Sequence, residues 1–320
     1  MQTSKITAAA ILIALCGALP CAAKDLVVVY PAYSDGRVTV VEGRVTKAEE
    51  VTAPTADDGA RDNLSRNLEL MSNEERKDRP VSLHIATREW QATTDKEGYF
   101  RVAIEDLALT PGWHTITAQS GEASGASRLL VVPGGNVHGV ISDVDDTIQI
   151  TEVNSKHRML ANTFLQNPLQ REVVPGIVEF YRELADANPQ AESAPVFYLS
   201  ASPRQLHGSL ELFLQHNAFT RGVLITKRVT NDSTSEPLSD QFAYKTAKLE
   251  EILARLPRLK LTFIGDDGEQ DPEIFQALRQ KFPERVAAIW IRRVNPDPKR
   301  AQLANQGNLN ERLAQKKTPQ

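Results

Sequence analysis

The hydrophobic period of this chain changes once, at Pro133-Gly134-Gly135-Asn136, and a chain that changes period has to fold as two kinds of structure. Ahead of that hinge, Leu26–Tyr30, Arg37–Val45, Val81–Ala86, Tyr99–Ile104 and His114–Ala118 are short β-rich runs separated by turn residues, which predicts a small all-β sandwich over 24–133. Asp95-Lys96-Glu97-Gly98 reads as a hairpin, with Gly98 free to take positive φ. Thr52 to Arg79 breaks the pattern with charge, Asn and a short helical stretch at Leu64–Met71, and reads as an exposed, partly mobile insertion. Behind the hinge, apolar runs at Val140, Val196–Leu199, Val223–Ile225, Leu261–Ile264 and Val286–Ile291 alternate with helical stripes such as Leu249, Ile252, Leu253 and Leu256. That alternation predicts an α/β domain over 137–295 with a doubly wound parallel sheet, followed by a polar tail over 296–320.

Lys5, the apolar run from Ile6 to Leu19, Pro20 and the small triplet Cys21-Ala22-Ala23 form a secretory leader, with cleavage expected after Ala23. The run is too short and too broken for a spanning helix, and Ala18-Leu19-Pro20 is a poor acylation signal before Cys21. The expected location is therefore periplasmic or secreted. Cys16 and Cys21 are the only cysteines and leave with the leader, which excludes a disulfide framework, a zinc ribbon and a thiol nucleophile. A net charge of -4 with no polybasic stretch argues against nucleic acid as a partner.

In a parallel α/β sheet the ligand site lies beyond the carboxyl ends of the strands, so the strand ends carry the functional information. The first strand ends at Asp143-Val144-Asp145-Asp146-Thr147, the second in Ser200-Ala201-Ser202, and the fourth in Gly265-Asp266-Asp267-Gly268-Glu269-Gln270-Asp271. Lys245, on the helix before the fourth strand, adds a cation; Lys248 is its rival one turn on. A carboxylate nucleophile, a second acid, a hydroxyl, a lysine and another acidic strand end match phosphoryl transfer through a phospho-aspartate. A calcium loop starting at Asp143 fails, with Ile148 at its sixth position and Asn154 at its twelfth. P-loop, nucleophile-elbow and zinc-protease motifs are absent. Asp271-Pro272 also suits the start of a helix, and Arg204 and His207 are as compatible with solvation as with substrate binding.

Asp143 to Thr147 resembles the D-x-D-x-T motif of the haloacid dehalogenase superfamily of phosphatases. Together with Phe197 to Pro203 and Phe263 to Phe275, it is similar to the catalytic domain of the actin-patch-associated phosphatidate phosphatases, relatives of the lipins. Two positions depart from that family's pattern: Arg204 where Trp is usual, and Asp267 where Ser is usual. The resemblance implies Asp143 as nucleophile, Asp145 as general acid and base, Thr147 orienting the loop, and Ser200 and Lys245 binding phosphoryl oxygens. It also implies Mg²⁺ held by the Asp143 carboxylate, the Asp145 backbone carbonyl and Asp266, with Asp271 steering Lys245 or a metal-bound water. The implied activity is hydrolysis of phosphatidate. The alternatives are a phosphatase for another soluble or lipid-linked phosphomonoester, and a non-catalytic module that binds lipid or a partner, with the β domain docking to a membrane or protein. Ile148 to Pro175 leaves room only for a small cap over the site.

Overall fold

The computed structural model describes residues 25–48, 52–72, 74–135, 137–150, 165–230, 233–237, 240–294, 300 and 302–315. The predicted leader, half of the predicted cap segment and the last residues of the tail lie outside that set.

Strands β1 (Asp25–Val29), β2 (Ala32–Ser34), β3 (Val38–Lys47), β4 (Pro80–Ile85), β5 (Arg88–Thr93), β6 (Tyr99–Glu105), β7 (Gly112–Ser120) and β8 (Ala123–Val131) form the first half. They build a three-stranded sheet, β1-β3-β6, and a five-stranded sheet, β2-β8-β7-β4-β5. Val41, Val45 and Phe100 from one sheet and Leu83, Ile116 and Leu129 from the other share one core. Of these strands, β5 and β8 carry the weakest sequence signal. The first is a polar edge, and the second opens on Ala123-Ser124-Gly125-Ala126-Ser127, residues with little β preference. Gly125 is required there, because a Cβ would sit 2.0 Å from the Val27 carbonyl oxygen.

The insertion is mostly exposed and carries a helix longer than the Leu64–Met71 stretch, but two buried residues tie it down. Helix α1 (Ala60–Ser72) turns Asn63 and Asn67 inward and leaves Leu64 and Leu68 exposed. Asn63 Nδ2 donates to the Leu165 carbonyl at 2.9 Å and to Gln170 Oε1 at 2.8 Å, and Asn167 Nδ2 donates to the Thr55 carbonyl at 2.7 Å. A polar clasp thus ties the insertion to the second half, and an apolar periodicity search cannot see it.

The second half is mixed α/β around a six-stranded parallel sheet. Its strands are β9 (His138–Asp143), β12 (Val196–Pro203), β13 (Val223–Lys227), β14 (Lys260–Asp266), β15 (Val286–Arg292) and β16 (Gly307–Asn308), in the order β13-β12-β9-β14-β15-β16. A small ladder, β10 (Gln149–Ile150) with β11 (Glu172–Val173), closes the root of the cap segment. Alternate strand residues feed two cores: Ile141, Phe197 and Phe263 on one face, Val140, Tyr198 and Ile264 on the other. Helices α4 (Gln241–Arg255) and α5 (Asp271–Lys281) cover the first face; α2 (Ile177–Asp186), α3 (His207–His216) and α6 (Leu309–Ala314) cover the second. The polar tail therefore supplies the edge strand β16 and a short helix that buries Leu309 and Leu313.

The two halves share side chains. Tyr33, Leu130 and Val132 belong to the same core as Ile141 and Phe197, and the Tyr33 ring meets Phe197 edge-on at 5.1 Å. Arg204 and His207 are buried in this seam, which corrects the view of them as solvated or substrate-binding. The Arg204 guanidinium pairs with Glu42 at 2.5 Å and lies 4.9 Å from the Tyr30 ring centre, held by the β domain.

Candidate active site

Chain order within the sheet reverses at β9, which lies between β12 and β14. Such a reversal leaves a crevice at the carboxyl edge, because the connections leave in opposite directions. Asp143 ends β9 level with Leu199 of β12, so Ser200 follows one residue beyond it, and Asp266 ends β14 on the other side. Sequence positions more than a hundred residues apart are brought to one crevice by register alone.

Lys245, on α4 and buried, reaches three carboxylates. Its Nζ donates to Asp143 Oδ1 at 2.7 Å, to Asp271 Oδ1 at 2.6 Å and to Glu269 Oε2 at 3.2 Å. Lys248 faces elsewhere, pairing with Glu236 at 2.7 Å. The carboxylates of Asp143, Glu269 and Asp271 each offer an oxygen within 4.8 Å of the others. Asp143 Oδ2 and Asp271 Oδ2 are buried and accept no hydrogen bond among the described residues. Buried anionic oxygens without donors are expensive, and hard oxygen donors grouped in this way fit a divalent cation. Glu269 is the member of this trio that was not foreseen as a ligand. Its run of acids made it visible in the sequence, but not which of them would turn inward.

Asp266 and Asp145 lie outside the trio and are engaged otherwise. Asp266 Oδ2 accepts from Thr147 Oγ1 at 3.2 Å and its Oδ1 accepts from the Gly268 amide at 2.7 Å, so Thr147 ties the two acidic loops together. Asp145 Oδ2 accepts from Ser200 Oγ at 3.1 Å and Oδ1 from Gln149 Nε2 at 2.5 Å. Asp271 opens α5 with Pro272 beside it, but its carboxylate turns to Lys245, leaving the helix start without a side-chain cap. The departure at Asp267 is structural. Its Oδ2 lies 2.5 Å from Arg293 Nε and its Oδ1 accepts from the Val294 amide at 2.8 Å, which pins the acidic loop to the segment after β15.

Burial pushes the Asp143 carboxyl well above the ordinary carboxylate range; Lys245 opposes this, while Asp271, Asp266 and Glu269 add to it. Asp145 is raised chiefly by burial, with nearby Arg171 acting against it. Burial alone would lower Lys245, but Asp143, Asp271, Glu269 and Asp266 outweigh it and hold the ammonium charged. The result is two buried carboxyls, both pushed toward their protonated forms, the first of them beside a fixed cation.

Sheet and site together define a parallel α/β domain whose crevice carries a lysine-clamped acidic cluster able to hold a divalent metal. Residues 138–293 match the family described as phosphatidate phosphatase APP1, catalytic domain. An uncharacterised protein of Schizosaccharomyces pombe is 32% identical over 158 residues, covering 49% of this chain and 25% of its own length. Phosphatidate phosphatase APP1 of Saccharomyces cerevisiae is 32% identical over 155 residues, covering 48% of this chain and 25% of its own. The chain thus spans about a quarter of the length of these relatives. A carbohydrate acetylesterase structure from Xanthomonas citri overlaps 89% of this chain and 71% of its own at 10% identity with a TM-score of 0.30, too distant to bear on the site.

Proposed function

We propose that this chain is an exported, Mg²⁺-dependent phosphomonoesterase that hydrolyses phosphatidate through an aspartyl-phosphate. The observation that carries the reading is Asp143 at the central strand end, with Oδ1 held by Lys245 and Oδ2 buried without a donor. The strand order, with β9 central and acidic residues ending both β9 and β14 at the reversal, supports a doubly wound, haloacid dehalogenase-like domain. The family match over 138–293 and the named activity of the yeast relative support phosphatidate as substrate.

Asp143 Oδ2 attacks phosphorus as the bond to the leaving oxygen breaks, and Asp145 gives that oxygen its proton. Water then attacks the phosphorus, Asp145 takes its proton, and the bond to Asp143 breaks to release phosphate. Lys245 offsets negative charge on Asp143 and the phosphoryl group, and Ser200, placed between Asp145 and the Ser202 amide, presents a hydroxyl to that group. A Mg²⁺ held by Asp143, Glu269 and Asp271 would add the charge neutralisation that one lysine among three carboxylates cannot. The leader supports an exported location, and cleavage after Ala23 is read by the mass of the mature protein. Among the described residues no helix is long and apolar enough to cross a membrane.

The test is Mg²⁺-dependent phosphate release from phosphatidate in mixed micelles, set against soluble phosphate esters. Asp143→Asn is expected to abolish release from both. A wide preference for soluble esters would remove the lipid substrate while leaving the phosphatase.

A further inference from the structure

The two oxygens of Asp145 are treated differently by the fold. Oδ1 accepts from Gln149 Nε2 at 2.5 Å, while Oδ2 faces Ser200 Oγ at 3.1 Å. An amide N–H can only donate, whereas a hydroxyl both donates and accepts. A proton on Oδ1 would collide with the amide hydrogen, so the proton of the acid form sits on Oδ2, the oxygen turned toward the strand end of β12.

Gln149 is built to hold this orientation. It belongs to β10, where it pairs with Val173 of β11, and the Ile148 and Val174 amides complete the root of the cap segment through the Val144 and Ile148 carbonyls at 3.1 and 3.0 Å. The side chain is 1% exposed, which leaves it little freedom to turn away. Its Oε1 is buried with no hydrogen-bond partner among the described residues. The contact with Asp145 is therefore what orients the amide, and the fold carries the desolvation cost of the other end to keep it. An apolar side chain of similar size would fill the same space without that cost.

We infer that Gln149 is a positioning residue for Asp145, fixing Oδ2 as the oxygen that passes its proton to the leaving alcohol. The role rests on the phosphatase reading above. In the step concerned, the bond from an Asp143 oxygen to phosphorus forms as the bond from phosphorus to the ester oxygen breaks, the Asp145 Oδ2 proton moves to that ester oxygen, and Asp145 is left ionised with Oδ1 still held by the amide. A merely structural Gln149 would affect every substrate alike. A proton-positioning one matters in proportion to how badly the leaving group needs a proton.

The experiment compares kcat/KM of the wild type and Gln149→Leu, with Mg²⁺ present, on phosphatidate and on a nitrophenyl phosphate whose leaving group needs no proton. Gln149→Leu should lose about 10²-fold on phosphatidate, the lower end of what general acid catalysis contributes, and change little on the activated ester. Gln149→Asn, which keeps a buried amide but withdraws it by one methylene, should show the same split and serves if the leucine variant does not fold. Equal losses on both esters, or no loss on phosphatidate, would overturn the positioning role while leaving the phosphatase in place. Wild-type inactivity toward both esters would remove the phosphatase reading and this role with it.

Discussion

Lys245 neutralises a cluster that would otherwise repel itself, since its Nζ lies within 3.2 Å of three carboxylates. Replacing it by methionine leaves Asp143, Glu269 and Asp271 buried with no counter-charge, and losing one partner of a buried ion pair costs about 3–5 kcal/mol. Lys245→Met is therefore expected to melt well below the wild type without metal, and to gain more from added Mg²⁺, in a thermal-shift titration with and without chelator. Equal Mg²⁺ shifts in the two proteins would argue against the trio as the cation site. Gly265 tests the same cluster from behind, because a Cβ there would lie 2.4 Å from Asp271 Oδ2 and 2.7 Å from the Phe275 ring. Gly265→Ala should cost about 1–3 kcal/mol by overpacking and weaken Mg²⁺ binding by displacing Asp271, as denaturant titration and calorimetry would show. The acidic strand ends were legible in the sequence because each follows an apolar run. Which acids share a cation was not, since that depends on side-chain direction within the loop from Asp266 to Asp271, where spacing has no fixed period.

At the scale of elements, the seam between the three-stranded sheet and the start of α3 is where sequence reading failed most, because its signal is a set of isolated polar and aromatic residues. Arg204, Glu42 and Tyr30 lie in different segments, and nothing local relates them. Beside them His207 is buried; its Nδ1 lies 3.2 Å from Thr226 Oγ1, its ring meets Tyr30 edge-on at 5.1 Å, and Nε2 lies 3.9 Å from Glu211. Burial, and secondarily Arg204, push its pKa down from 6.5 to about 3. The unfolded chain thus binds this proton below pH 6.5 while the folded chain does not until about pH 3. Stability from this residue is complete above 6.5 and falls with pH across that window by up to about 1.4 kcal/mol per unit. His207→Leu should flatten the acid limb of the unfolding free energy measured by urea titration at a series of pH values. An unchanged acid limb would mean that His207 titrates in the folded seam.

At the scale of the whole molecule, eight strands precede the period change and alternating strands and helices follow it, yet one core is shared across it. Tyr33, Leu130 and Val132, all from the first half, are buried with Phe197 and Leu199 of β12. Polar ties follow the same seam: Arg255 donates to the Tyr33 carbonyl at 2.8 Å, Trp113 Nε1 to the Glu192 carbonyl at 3.0 Å, and Arg228 pairs with Asp95 at 2.6 Å. Periodicity along the chain reports which face of an element is apolar, and is silent on which distant element covers it. Shared burial of this kind couples unfolding, since separating the halves would expose Tyr33, Leu130 and Phe197 to water at about 1.5–3 kcal/mol per large side chain. A protein beginning at Lys24 is therefore expected to give one calorimetric transition whose calorimetric and van't Hoff enthalpies agree. A fragment beginning at the hinge should melt at lower temperature and expose apolar surface to dye, because its sheet keeps the Phe197 face without the Tyr33 ring that meets it edge-on. Two separate transitions in the intact protein would show that the sandwich rides on the catalytic domain without supporting it, and would confine the origin of site geometry to residues after the hinge.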